Sequence, residues 1–194
     1  MKNRTSLSLT SFLAISLAGC ASSTPDRKLT PAARSDASIE AKQVAAQEGS
    51  AHVTEVRYAK GDAALPAKET AKLAKLVEAA RAKKPVRRAI LIAWADQEMP
   101  ADRSHDLDDA EVKLAEKRGA ELENYFKTHY PDVKTDVINM AKRSGKLAEF
   151  LKTKEARIQD SLASADVPTD EKKDRTALPK ASRAVVILKL KGEH

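Results

Sequence analysis

From Val53 onward the chain switches between two kinds of apolar spacing. Val53-Thr54-Glu55-Val56-Arg57-Tyr58 alternates with the period of two that marks a strand. Gly61-Asp62 breaks it, and Pro66 opens a run to about Lys83 in which Leu73, Leu76, Val77 and Ala80 recur at helical spacing. Proline is well tolerated in a first helical turn. Lys84-Pro85 ends that run. Val86 to Ala95 holds the unbroken apolar stretch Ala89-Ile90-Leu91-Ile92-Ala93-Trp94, the pattern of a strand covered on both faces or central in a sheet. A polar loop, Gln97 to Asp106, leads to a second helical pattern from about Asp109 to Thr128, with Leu114, Ala115, Leu122, Tyr125 and Phe126 in its stripe. Asp108 and Glu111 have the spacing of a capping box. Val133 to Met140 reads as a third strand, Lys146 to Ala163 as an amphipathic helix, and Ala184 to Leu190 as a last strand.

The order β-α-β-α-β-α-β predicts an α/β two-layer sandwich, a small mixed sheet with helices on one face. Residues 52–194 form that domain. Residues 20–51 read differently: they are rich in Ala, Ser, Thr, Pro and charge, with almost no large apolar side chain, a composition that does not build a core. They predict a tether, with a weak helical pattern over Ser38–Gln47. Fully extended, the chain from Cys20 to Val53 reaches at most roughly 110 Å. No internal repeat is visible.

Residues 1–19 change the picture. Lys2 and Arg4 precede a mostly apolar run from Leu7 to Leu17, too short for the roughly 20 apolar residues that span a bilayer. This is the build of a secretory signal. Its end, Leu17-Ala18-Gly19-Cys20, resembles the lipobox of bacterial lipoproteins at every position. The resemblance implies cleavage before Cys20 and a diacylglycerol and palmitate anchor on its thiol. Cys20 is the only cysteine, so no internal disulfide forms, and lipidation removes a free thiol from an oxidising compartment. By resemblance to the enterobacterial sorting rule, in which an Asp after the cysteine holds a lipoprotein at the inner membrane, Ala21 implies the outer membrane, facing the periplasm. Removing 19 of 194 residues leaves 175, one domain plus a tether. The net charge of +7 falls to +5 with the loss of Lys2 and Arg4. Export argues against nucleic acid as the partner of that charge and favours lipid headgroups or the cell wall. The plainer reading for most of these cations is a solvated helix face.

Two residues carry candidate chemistry. Asp96 follows the apolar strand immediately, where ligands of sheet-and-helix folds tend to sit. Arg118 lies between Leu114 and Leu122 on the apolar side of its helix, at the rim of the core. Together they suit a zwitterion, Asp taking the ammonium and Arg forking the carboxylate; a structural salt bridge is the competing reading. Asp102, His105, Asp106, Asp108 and Asp109 cluster in one loop, but their spacing matches no metal site. Trp94 is either a core packer or a surface for a sugar. His52, His129 and His194 have no partners at catalytic spacing, and no nucleophile triad, phosphate loop or zinc motif is present. No enzyme activity, metal or cofactor is expected.

Val53 to Lys191 resembles an OmpA-like peptidoglycan-associated domain. Tyr58 to Leu65 corresponds to the family's first turn, and Ala93-Trp94-Ala95-Asp96 to its Gly-His-Thr-Asp. Leu114-Ala115-Glu116-Lys117-Arg118-Gly119-Ala120-Glu121-Leu122-Glu123-Asn124-Tyr125-Phe126 fits the spacing of its Leu-Ser-x-x-Arg helix. Ser182-Arg183-Ala184-Val185-Val186 corresponds to its Asn-Arg-Arg-Val-Glu. The family's Asn, seven residues before the Arg, falls on Glu111, and the loop before the helix is longer. The resemblance implies that Asp96 and Arg118 grip the diaminopimelate of a peptidoglycan stem peptide, with Trp94 and Arg183 as secondary contacts. The expected function is an outer-membrane tether to peptidoglycan. The alternative is a subunit of a secretion, pilus or motility complex whose degenerate domain makes protein contacts.

Overall fold

The computed structural model describes residues 36–98, 106–143, 153–164 and 181–193. Its elements are α1 (Ile39–Gln47), β1 (His52–Arg57), α2 (Ala67–Arg81), β2 (Val86–Ala93), α3 (Asp109–His129), β3 (Lys134–Asn139), α4 (Lys154–Ser164) and β4 (Arg183–Leu190). The strands form one mixed sheet in the order β1-β4-β2-β3. β4 is antiparallel to both β1 and β2, while β3 runs parallel to β2. A parallel neighbour requires a crossover, and α3 supplies it. The α/β sandwich on a small mixed sheet is therefore as the patterning implied.

β2 is central because every side chain from Ala89 to Ala93 is apolar and fully buried. Alternation sends Ala89, Leu91 and Ala93 to one face and Ile90 and Ile92 to the other. The first face, completed by Val56, Val186 and Leu188, lies under Leu73, Val77 and Ala80 of α2 and Leu122, Tyr125 and Phe126 of α3. Each large side chain buried there contributes about 1.5–3 kcal/mol. α3 comes close because Gly119 has no side chain: a Cβ at that position would lie 2.6 Å from Val137 Cγ1.

The second face is also covered, which departs from helices on one face only. Ala41, Val44 and Ala45 of α1 and Ile158 and Leu162 of α4 pack with Ile90, Ile92, Val185 and Ile187. The folded part accordingly begins before residue 52, and the segment read as tether loses its last part to the domain. The reason is steric: small alanines let α1 sit close to the sheet, so one Val44 suffices as its large anchor. Ser38 caps α1, its hydroxyl accepting from the Ala41 N–H at 3.3 Å. No helix among the described residues is long and apolar enough to cross a membrane. The leader, Cys20, Leu147, Phe150 and Leu151 lie outside the described residues.

Candidate functional site

Three chain crossings meet at the carboxyl end of β2: the turn after β1, the exit of β2 and the entry to β4. Arg118 reaches into all of them from α3. Its Nε donates to the Asp62 carbonyl at 2.8 Å and Nη1 to the Trp94 carbonyl at 2.9 Å. Nη2 donates to the Ala59 carbonyl at 3.2 Å and to Asp96 Oδ1 at 2.6 Å. The guanidinium also lies over the Tyr58 ring, 4.9 Å from its centroid. Sequence reasoning places this pair at the rim, and the structure corrects that. The Arg118 side chain is 0% exposed and that of Asp96 6%. The helical spacing was a sound guide; the rim is sealed by the turn at 59–62 folding over the guanidinium.

Asp96 is equally occupied. Oδ1 also accepts from the Ser182 hydroxyl at 2.7 Å, and Oδ2 accepts from the Gly61 N–H. Gly61 has φ +74, a left-handed turn open to glycine without strain, and that turn aims its N–H at the carboxylate. Ser182 has φ 57, where a side chain costs energy. It is fixed there by its N–H donating to the Ala95 carbonyl at 2.6 Å and its carbonyl accepting from the Tyr58 N–H at 2.9 Å. Burial by itself raises the Asp96 carboxyl. The hydrogen bonds from Ser182, Arg118 and Gly61 and the charge of Arg118 outweigh burial and hold it below the usual carboxylate range. Burial pushes the Tyr58 hydroxyl well above its ordinary value, against the opposing pull of Arg118.

Glu111 does not act as the capping-box partner. Asp108 makes no side-chain cap bond, and Glu111 Oε2 instead accepts the N–H groups of Asp96 at 2.8 Å and Gln97 at 3.2 Å. It shapes the backbone that carries Asp96.

Trp94 and Arg183 are brought together, with side chains on the other face of the sheet from Arg118. The Arg183 guanidinium lies 5.0 Å from the Trp94 ring centroid. Trp94 is 5% exposed and Arg183 2%, so neither is a surface contact. Arg183 Nη1 pairs with Glu55 Oε1 at 3.0 Å, and Glu55 also accepts the Ser38 N–H at 2.9 Å. Glu55, Gly61 and Ser182 escaped sequence reasoning. For Glu55 a signal existed, an acid two residues from Val53 on the same strand face; for the other two only the fold reveals the role. Asp106 of the acidic loop pairs with Arg143 at 3.0 Å, while Asp102 and His105 lie outside the described residues. Among the described residues no group of three potential metal ligands converges.

No protein-family model and no curated protein matches the chain. Among solved structures, the OmpA-like domain of FopA1 from Francisella tularensis subsp. tularensis SCHU S4 is similar at 14% identity and a TM-score of 0.35, over 71% of this chain and 74% of that one. A likeness of that size carries no binding partner across.

Proposed function

We propose that the chain is a non-enzymatic lipoprotein, anchored at Cys20 in the outer membrane, whose periplasmic domain holds the diaminopimelate of peptidoglycan. The lipobox and the helix-motif resemblance support the setting. The observation that carries the ligand is the meeting of Asp96 and Arg118 in a 2.6 Å ion pair at the carboxyl end of β2. An amino-acid zwitterion matches that pair charge for charge. Its carboxylate would replace Asp96 on Arg118 Nη2, and its ammonium would go to the freed carboxylate. On this reading the ion pair is the closed form, and the 59–62 turn lifts for exchange.

A second reading draws on the same geometry. Four acceptors already occupy Arg118, and three donors occupy Asp96. A pair so enclosed also suits a latch that holds three loops in place for contact with another envelope protein. Sedimentation with purified sacculi separates the two. Under the first reading the full chain pellets, free diaminopimelate competes, and Asp96→Asn weakens binding about tenfold to a hundredfold, the range for one charge-assisted hydrogen bond. Under the second, wild type stays in the supernatant, and the variant loses only thermal stability.

A further inference from the structure

At the far end of β2 from Asp96 lies an open groove of about 380 Å³ lined by Pro85, Val86, Arg87, Asp132, Lys134 and Lys191. Three strand ends build it: the start of β2, the start of β3 and the end of β4. The Lys191 N–H donates to the Pro85 carbonyl at 2.9 Å and closes its floor. Its one acid is already committed, since Arg81 Nη2 holds both oxygens of Asp132 at 2.6 and 2.8 Å. The next acid, Glu193, accepts the Leu190 N–H at 2.9 Å. Arg87, Lys134 and Lys191 are exposed, and among the described residues their side chains carry no ion pair. Lys83 and Lys84, also exposed, extend the positive run into Pro85.

We propose that this groove docks on the anionic phospholipid headgroups of the membrane to which the chain is anchored. Charge complementarity names the class: three uncompensated cations around a shallow apolar floor of Pro85 and Val86 suit a phosphate diester beside its glycerol. Chain length brings the surface within range. The 18 residues from Cys20 to Ser38 reach at most roughly 65 Å. β2 itself is only about 23 Å long, so the tether lets the basic end face the bilayer while the Asp96 end faces away. The inference goes beyond peptidoglycan binding and borrows from it only the anchor.

The test uses the full chain carrying Cys20→Ser, so that no acyl chain inserts, with vesicles of phosphatidylcholine with and without phosphatidylglycerol. Each cation near an anionic surface contributes about fivefold in partitioning, so the loss of three cations in Arg87→Glu/Lys134→Glu/Lys191→Glu should by itself remove on the order of a hundredfold of the preference for anionic vesicles, and the three new anions remove more. The preference should also collapse as salt shortens the screening length. A control with Lys68→Glu/Lys113→Glu/Lys117→Glu, at the Asp96 end, should keep it, and melting should be unchanged in both. Equal binding to neutral vesicles, or a preference that survives in the triple variant at the groove, overturns the proposal. So does competition by inorganic phosphate at constant ionic strength, which would make the groove a pocket for the free ion. Loss of sacculus pelleting in the groove variant, with no vesicle preference in wild type, would assign these cations to the wall. Vesicle binding without sacculus binding leaves this inference standing and removes the previous one.

Discussion

The Asp96 carboxylate is held below its ordinary range by groups that exist only in the folded chain. As pH falls toward about 3.9, the unfolded chain therefore takes up the proton first. The stabilisation is fully present above that ordinary value and is lost as pH drops through the folded one. Urea midpoints measured down the acid limb should fall more steeply for wild type than for Asp96→Asn; parallel slopes would mean the pair contributes nothing. Ser182 offers a test in which the usual order inverts. Ser182→Ala loses the hydrogen bond to Asp96 and keeps the left-handed backbone, whereas Ser182→Gly loses the bond but sheds about 1 kcal/mol of strain. Glycine should be the less damaging substitution, read from melting of the two variants. Arg118 was legible from its place in the apolar stripe, and Asp96 from its place after a strand. Gly61 and Ser182 were not, because their roles arise where two loops far apart in the chain converge, and no local pattern records that.

At the scale of elements, α1 separates a tether from a layer of the fold. Val44 is 2% exposed and packs in the second core. Val44→Ala should cost about 2 kcal/mol, near 0.8 kcal/mol per methylene plus a cavity term, where a solvated tether would lose nothing. Denaturant unfolding measures it directly. The long periodic segments β2, α2 and α3 were readable because large aliphatic residues repeat in them at a fixed spacing. α1 was faint because two of its three buried residues are alanines, which leave little apolar contrast between faces. Glu111 shows a different failure: its spacing from Asp108 suits a cap, yet the Asp96 and Gln97 N–H groups, brought near by tertiary packing, claim its carboxylate.

For the whole molecule, the proposed anchor at Cys20 is the first thing to test. Metabolic labelling with a palmitate analogue should mark wild type and not Cys20→Ser, and the substituted chain should partition away from membranes; label on the substituted chain would sink the lipoprotein reading. The strand order bears on when the sheet can close. β1 joins the sheet solely through β4, His52 opposite Leu188 and Arg57 opposite Arg183, and β2 needs β4 along its other side. Pairings that distant in sequence form late. Until Arg183–Leu190 has been made, β1 has no strand to lie against and β2 keeps one side unpaired. A copy cut short before β4 therefore keeps open strand edges, which invite aggregation, so the last strand decides whether the elements before it become one sheet.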